Sequence, residues 1–216
     1  MGMLTKLQAV NRMLRGSSEP PVESLTISAT NEALAAENLL DETNIYSQMA
    51  GLYVNTIIVN LVPDPVTFTV DLPDTTLNVI GGWWGEGRMS IGDENFPDNR
   101  DRNFVMRGFN PQQLFDLDRN SFLFPDDDDV TIMYTLLIEY DELPTSQQFR
   151  IVDQASRLYQ MSVQGDPNMD QLLNQEAQIS RAMARAADMR SKRPNIHSTG
   201  QNTLARRMGQ IPRDWL

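Results

Sequence analysis

The sequence predicts an α+β protein: a four-helix bundle with an inserted small antiparallel β region and an extended C-terminal tail. Three observations support this fold class. Apolar residues recur at helical spacing towards both ends of the chain. Short β-rich runs bounded by proline fill the middle. Beyond residue 190 the periodicity stops, and Asn, Ser, Thr, Gly and Pro dominate. A chain of 216 residues, 40% of them hydrophobic, can bury one substantial core with appendages.

Two helices are predicted before residue 55. The first covers Met3–Arg15, and Gly16 can terminate it. Consecutive prolines then force an extended path. Thr30 or Asn31 can cap a second helix, which ends near Ala50. The apolar positions that support these two helices are Leu4, Leu7, Val10, Leu14, Leu34, Leu39, Leu40, Ile45 and Met49.

The middle of the chain is predicted to form one small sheet. Residues 56–63 and 66–73 are short β-rich runs that each end in proline. LFDLDRNSFLF (114–124) and VTIMYTLLIEY (130–140) are two further predicted strands. A glycine-rich, polar stretch at about 81–102 is predicted to be a long loop or hairpin.

Helical spacing returns after Pro144 and predicts two more helices. Gly165, Asp166 and Pro167 separate them, and the last helix is expected to cover about 168–190. Its apolar residues are expected to face inward. They are Leu172, Leu173, Ile179, Met183 and Ala186.

The predicted elements divide the chain into three parts. Residues 1–55 and 141–190 form the helical bundle, as two antiparallel helix pairs. Residues 56–140 form the β region, which is inserted between the second and third helices. Residues 191–216 form an extended C-terminal arm.

Charge is distributed unevenly along the chain. The net charge is −11 at pH 7, yet from Arg190 onward there are six Lys or Arg residues and a single acid, Asp214. This asymmetry indicates a body and a tail with different partners. The alternative explanation of the charge is that an acidic body simply keeps the protein soluble. No stretch approaches the ~20 consecutive apolar residues that a membrane-spanning helix needs.

The sequence predicts no enzyme, no metal site and no cofactor. Cysteine is absent, and the single histidine, His197, falls in the predicted tail, which disfavours Ser-His-Asp triads and zinc sites. The Asp126–Asp129 run could hold a cation, but a solvated turn explains it better. Glu139, Asp141 and Glu142 could form an acid pair, but capping of the following helix explains them as well.

Two segments indicate contacts with other macromolecules. Trp83 and Trp84 lie among glycines, so we favour an exposed binding tip over a tryptophan that covers the sheet. The final LARRMGQIPRDWL combines arginines with Ile211, Trp215 and Leu216, which suits docking into a protein groove. A disordered end and a contact with nucleic acid through the basic residues are the alternatives.

Several motifs resemble a known family. The chain opens with LQAVNRMLRGSSEPPVESL, in which Ala9-Val10-Asn11 and Met13-Leu14 precede Glu19-Pro20-Pro21-Val22 and Ser24-Leu25. This opening resembles the start of tail tubular protein A, the head-to-tail adaptor of short-tailed bacteriophages. Further similar segments are EALAAENLLDE, DLPDTTLNV, LFDLDRNSFLF and EYDELPTSQQFRIVDQASRLYQ.

The resemblance extends from about Leu4 to Ala187, with two departures. The family usually has Gly-Trp near the end of the second helix, where this chain has Gly51-Leu52-Tyr53. The stretch Trp83–Arg102 looks like an insertion, so no family role can be transferred to it.

The resemblance implies a structural virion protein at the head-tail junction, made in the host cytoplasm. It implies a twelve-subunit ring between the portal and the tail nozzle, with the helical bundles in the ring wall. The β region would point towards the nozzle, and the C-terminal segment would reach the portal. Genomic DNA would pass through the lumen without specific binding, because carboxylates repel the phosphate backbone.

The resemblance, together with the chemistry of the two segments described above, indicates where partners bind. The expected nozzle-binding residues are Trp83, Trp84 and Arg88. The alternative function is a nucleic-acid-binding module that uses the basic C-terminal tail, and such a module would bind duplex DNA in a steeply salt-dependent way. The expected portal-binding residues are Arg206, Arg207, Met208, Ile211, Arg213, Trp215 and Leu216.

Overall fold

The computed structural model describes residues 4–26, 30–84, 103–108, 111–124 and 130–191. None of the described helices is long and apolar enough to cross a membrane. The helices are α1 (Lys6–Gly16), α2 (Asn31–Met49), α3 (Thr145–Val163) and α4 (Pro167–Ser191), with a 3-10 turn at Tyr140–Glu142. The strands are β1 (Thr56–Leu61), β2 (Asp71–Leu72), β3 (Thr76–Trp84), β4 (Phe104–Arg107), β5 (Gln112–Asp116) and β6 (Val130–Leu136).

Side-chain caps determine where the first two helices begin. The Thr5 hydroxyl accepts a hydrogen bond from the Gln8 backbone N–H at 3.3 Å, and the Gln8 side chain accepts from the Thr5 N–H at 3.1 Å. This reciprocal pair is a capping box at the start of α1. Thr30 caps α2 by accepting from the Ala33 N–H at 3.2 Å.

The helical part is a cluster of three helices with a fourth helix on its side, so the prediction of a four-helix bundle is wrong. Helices α1, α2 and α3 contact one another in every pairing, whereas α4 packs chiefly on α3. The buried residues of α4 are Ser180 and Ala184, both of them small. A helix in the centre of a bundle needs a stripe of buried, larger apolar side chains.

Most of the apolar residues expected to face inward from α4 are exposed. Leu172, Ile179 and Met183 are 59%, 57% and 63% exposed. At 3.6 residues per turn, they lie roughly 100° around the helix from the buried Ser180 and Ala184. Ala186 is also exposed, and Leu173 is half-buried. The regularly spaced apolar residues of α4 therefore form a stripe that is exposed on the surface of this chain.

The β region contains two three-stranded antiparallel sheets, and the prediction of one small sheet is wrong. The first sheet has the order β1-β6-β3, and the second has the order β2-β5-β4. Helices and strands still segregate, so the protein remains an α+β protein. Strand β3 continues to Trp84, so residues 81–84 of the stretch predicted as a loop are strand; residues 85–102 lie outside the described part.

Gly82 allows the two sheets to approach each other. A Cβ atom at this position would lie 2.6 Å from the Phe104 ring of β4, and 2.8 Å from both the Ile132 side chain and the Thr131 carbonyl of β6. A side chain at residue 82 would therefore force the strands apart. Gly82, next to Trp83, thus marks close packing of strands.

An aspartate turn replaces most of the strand predicted at 66–73. The Asp64 carboxylate accepts hydrogen bonds from the backbone N–H groups of Val66 and Thr67, both at 2.8 Å. This local bonding turns the chain back on itself, and only Asp71–Leu72 joins a sheet.

A second aspartate shortens the strand predicted at 114–124. The buried Asp116 carboxylate accepts from the backbone N–H groups of Asp118 and Arg119, at 2.8 and 3.1 Å. Strand β5 ends at Asp116, and a tight turn returns the chain to an isolated bridge with Ser121.

The interior contains two separate apolar clusters. The first joins α1, α2 and α3 with the segment before α3, and the second fills the space between the two sheets. The helical cluster includes Val10, Met13, Leu14, Leu40, Tyr140, Ile151 and Val152. The β cluster includes Val70, Leu72, Phe104, Leu114, Phe124 and Ile132.

Two buried amides join the helical part to the β part. Gln48, near the end of α2, donates to the Ile138 carbonyl at 2.7 Å and accepts from the Ile138 N–H at 2.9 Å. Asn55, just before β1, donates to the Leu136 carbonyl at 2.9 Å and accepts from the Leu52 N–H at 2.7 Å. The two places where the chain passes between the parts are therefore hydrogen-bonded to each other.

Candidate functional site

The residues expected to bind the portal and the nozzle fall mostly outside the described part of the chain. Only the backbone placement of Trp83 and Trp84 is described: they end β3, opposite Thr131 and Val130 of β6. The expected sites that lie outside the described residues are Arg88, Arg206, Arg207, Met208, Ile211, Arg213, Trp215 and Leu216.

Among the acidic residues considered for chemistry, Asp141 has a structural role, whereas Glu139 and Glu142 are exposed. The Asp141 carboxylate accepts from the Lys6 backbone N–H at 2.7 Å, so it caps the start of α1. The prediction that these acids cap α3 is wrong, because α3 follows Pro144 without a side-chain cap. Among the described residues, no group of His, Cys, Asp and Glu is placed to hold a metal ion. Asp126–Asp129 lies outside them.

An apolar groove lies beside the exposed stripe of α4, between α1, α3 and α4. It has a volume of about 440 Å³, and Phe149, Ile179 and Met183 line it together with the charged residues Arg12, Asp153 and Glu176. Ile179 and Met183 belong to both the exposed stripe and the groove. We call the stripe of Leu172, Ile179 and Met183 together with this groove the α4 surface. Apolar area of this kind outside a protein's own core often marks a macromolecular contact.

The charged groups under the α4 surface largely compensate one another. The Arg12 guanidinium lies 2.8 Å from the Asp153 carboxylate and 3.6 Å from that of Glu176. It also lies 5.5 Å from the centre of the Phe149 ring. Burial raises the pKa of Asp153, although the charge of Arg12 opposes the shift. The accessible part of the α4 surface is therefore mainly apolar.

An acidic groove lies between the start of α2 and the end of α3. It has a volume of about 760 Å³, and Glu19, Glu32 and Glu42 line it together with apolar residues. The Tyr159 hydroxyl at its base lies 3.2 Å from both a Glu19 carboxylate oxygen and the Glu32 carbonyl. Burial, with the charges of Glu19 and Glu32, raises the pKa of Tyr159 to about 12. The apolar lining residues are Ala35, Leu39, Leu158 and Val163.

A basic groove of about 440 Å³ lies further along the same side of the molecule, between α2, α3 and α4. Arg150, Arg157 and Arg181 line it. Arg157 is paired with Asp170 at 2.7 Å. In contrast, the buried Nε of Arg150 has no hydrogen-bond partner. Burial lowers the pKa of Arg150, and the nearby charges of Arg181 and Arg185 lower it further.

These grooves were not found from the sequence, because their residues are far apart along the chain. Glu19 and Tyr159 are 140 residues apart in the sequence, and Arg150 and Arg181 lie on different helices. One signal was available: α2 carries Glu32, Glu37, Asp41 and Glu42 and no Lys or Arg.

The three grooves described above are lined mainly by residues of the helices. The family model for tail tubular proteins matches residues 7–194. The chain therefore belongs to the tail tubular protein family, which confirms the resemblance found in its sequence. It is a structural component of a bacteriophage tail. A comparison with curated proteins finds no match.

Proposed function

We propose that this chain is a head-to-tail adaptor, twelve copies of which form a ring between the portal and the tail nozzle. Membership of the tail tubular protein family supports a structural role in the tail. The proposal extends that role to the head-tail junction and to a ring around the DNA channel. Residues 1–55 and 141–190 form the ring wall in this proposal, residues 56–140 extend towards the nozzle, and residues 191–216 reach the portal.

The observation that carries the ring is the α4 surface. A ring is built from heterologous contacts, so each copy must present two different faces. The α4 surface is one such face. The outer side of α2 offers a second, because Leu34, Ile45 and Met49 are exposed along one side of that helix. In the proposed ring, α2 of one copy packs against the α4 surface of the next. Burying these side chains would provide the apolar contact that the isolated chain lacks.

The contacts at the two ends of the ring rest on sequence chemistry. In the C-terminal segment, Trp215 and Leu216 would fill apolar pockets of the portal. Their arginine neighbours Arg206, Arg207 and Arg213 would pair with carboxylates there, together with contacts from Met208 and Ile211. Trp83, Trp84 and Arg88 would contact the nozzle.

The acidity of the chain supports passage of DNA without binding. The net charge of the chain is −11 at pH 7. A channel with a negative surface repels phosphates, so the genome slides through it instead of adhering to it. No cofactor or catalytic residue is part of this function.

The proposal can be tested with purified portal rings and the full-length chain. Native mass measurement should find twelve copies of the wild-type chain on each portal. The double variant Trp215→Ala/Leu216→Ala should not bind the portal. Single copies of the Met183→Glu variant should bind the portal without closing the ring, because a charge on the α4 surface blocks the contact between neighbouring copies. Met161→Glu is the matched control, since Met161 is exposed on α3 away from the α4 surface.

Two results would contradict the adaptor. One is a wild-type chain that fails to bind portal rings at any concentration. The other is tight, salt-sensitive binding of duplex DNA that is lost when Arg206, Arg207 and Arg213 are replaced by Gln, because this would favour the nucleic-acid-binding module.

A further inference from the structure

One side of the helical body carries opposite charges at its two ends. Helices α2 and α3 run antiparallel along it, so that the start of α2 lies beside the end of α3. The acidic groove occupies one end and the basic groove the other, and Leu158 lines both of them. We call this side the α2–α3 face.

Several charges on the α2–α3 face have no ion-pair partner among the described residues, although Arg157 at its basic end is paired with Asp170. In the described part of the helices, no ion pair involves Glu32, Glu42 or Arg181. Arg150 is half-buried, and the charges of Arg181 and Arg185 act on it together with the opposite charge of Asp188. One of its terminal nitrogens donates to the Gln147 side chain at 3.4 Å, whereas its Nε lacks a hydrogen-bond partner. Bringing like charges together is unfavourable unless an opposite charge approaches from outside. Each end of the face therefore favours a ligand of the opposite sign.

Apolar side chains connect the two grooves. Tyr46 at the basic end is 71% exposed, and Leu158 between the grooves is 43% exposed. Val163 at the acidic end is 48% exposed. The face thus has an apolar strip with an acidic patch at one end and a basic patch at the other. A matching partner needs the same apolar strip with its charges in the reverse order.

A second copy of this chain, rotated by half a turn, has that reverse order. We infer that two copies of the free chain pair through their α2–α3 faces, about a two-fold axis near Leu158. A two-fold contact places the acidic groove of each copy over the basic groove of the other, and it covers both apolar strips. Nucleic acid fits less well, because its phosphates would meet Glu32 and Glu42 at one end.

The size of the face indicates a reversible pair. Helix α3 has 19 residues, which gives a length of about 28 Å, and a strip roughly 20 Å wide would cover about 560 Å² per copy. Specific stable interfaces usually bury about 800 Å² per partner. We therefore expect pairing that is concentration-dependent and weakened by salt.

The pair uses a different contact from the ring, and it closes after two copies because it is two-fold. The exposed residues Leu34, Ile45 and Met49 of α2 lie next to the α2–α3 face, so a paired chain cannot use α2 fully for a ring contact. The pair is therefore a state of the free chain, and assembly on a template has to replace it.

The test uses full-length protein and two charge-reversed variants. Glu32→Arg/Glu42→Arg makes both ends of the face positive, and Arg181→Glu/Arg185→Glu makes both ends negative; all four residues are exposed. Sedimentation at low salt should give the mass of two chains for the wild type and of one chain for each variant alone. An equimolar mixture of the two variants should again give pairs, because their faces are complementary at both ends. Glu139→Arg, an exposed substitution away from the face, is the control and should pair like the wild type.

Three results would overturn the inference. The wild type could remain a single chain at all concentrations, the reversals could leave its mass unchanged, or the mixed variants could fail to pair while each remains folded by circular dichroism. Failure of the pair is distinguishable from failure of the adaptor, because portal binding by the wild-type chain is measured separately.

Discussion

At the scale of single residues, Asp141 shows how a surface carboxylate holds distant parts of the chain together. It lies in the turn before α3, yet it accepts the first helical N–H of α1, at Lys6. Aspartate is favoured near a helix N-terminus because it satisfies a free N–H and interacts well with the helix dipole. Asp141 thus links the second half of the helical part to its first helix.

Removing this cap should destabilise the fold. We expect Asp141→Ala to lower the free energy of unfolding by about 0.5–2 kcal/mol, the usual cost of losing a capping side chain. Urea denaturation would measure the change. Glu142→Ala is the control, because the neighbouring carboxylate is also exposed and makes no such bond. Equal effects of the two substitutions would mean that the contact with Lys6 contributes nothing.

The raised pKa of Tyr159 predicts a loss of stability at alkaline pH. Its pKa in the folded state is about 12, above the unfolded value of about 10. Between these values the unfolded chain releases the proton and the folded chain retains it, so stability falls as pH rises from 10 towards 12. Below pH 10 the stability that Tyr159 contributes through its raised pKa is fully present. Tyr140 should add to the effect, because burial also raises its pKa.

The variant Tyr159→Phe should lose part of this pH dependence. At neutral pH the substitution should lower the free energy of unfolding by about 1 kcal/mol, because phenylalanine lacks the hydroxyl that bonds Glu19 and the Glu32 carbonyl. Melting temperatures recorded across pH 9–12 should then fall less steeply than those of the wild type. Parallel curves for the two proteins would refute the assignment of the shift to Tyr159.

At the scale of helices and strands, the connection between the two parts of the fold depends on the amide of Gln48. This side chain satisfies both backbone groups of Ile138 and also contacts Asn44 and Asn55. It is fully buried. An unsatisfied buried backbone group costs about 1–3 kcal/mol, so this position is intolerant of apolar replacement.

We therefore expect Gln48→Met to reduce the free energy of unfolding by about 2–5 kcal/mol, although methionine has a similar length. Gln154→Met, on the exposed side of α3, should change stability by less than about 0.5 kcal/mol. Guanidinium denaturation of both variants would make the comparison. A small effect at Gln48 would mean that water replaces its hydrogen bonds.

The orientation of α4 can be tested with neighbouring residues. Ala184 is fully buried against α3, and Met183 is 63% exposed. Ala184→Leu should lower the free energy of unfolding by about 1–3 kcal/mol, because the contact between α3 and α4 has no space for the larger side chain. Met183→Leu should be nearly neutral in the free chain. Thermal unfolding would rank the two variants, and the opposite order would restore the inward-facing stripe that the sequence predicted.

At the scale of the whole molecule, the two apolar clusters indicate two units of local stability. Leu14 belongs to the helical cluster and Leu114 to the β cluster, and both are fully buried. Replacing either leucine by alanine should lower the free energy of unfolding by about 2–5 kcal/mol. The division of the chain at residues 55 and 141 predicts that each cost is felt mainly within its own part.

Hydrogen exchange in the native state would test this division. Leu14→Ala should accelerate exchange mainly in α1, α2 and α3, and Leu114→Ala mainly in the β strands. Uniform acceleration in both variants would show a single cooperative unit, in which the amides at Gln48 and Asn55 couple the two clusters completely.

The sequence by itself determined the family and the positions of the helices. Both results depend on local signals: the motifs from Ala9 to Leu25 identify the family, and the apolar period, the capping Thr30 and the prolines bound the helices. Such signals involve residues within a few turns of one another. They therefore survive without knowledge of the packing.

Only the tertiary structure decided which side of α4 is buried, how the strands divide into two sheets, and where charges gather. The apolar stripe of α4 has the same period whether it faces the chain's own core or another subunit, so periodicity could not distinguish these cases. The turns at Asp64 and Asp116 override β-rich segments through local hydrogen bonds. The acidic and basic grooves join residues from separate helices, and no local pattern records that proximity.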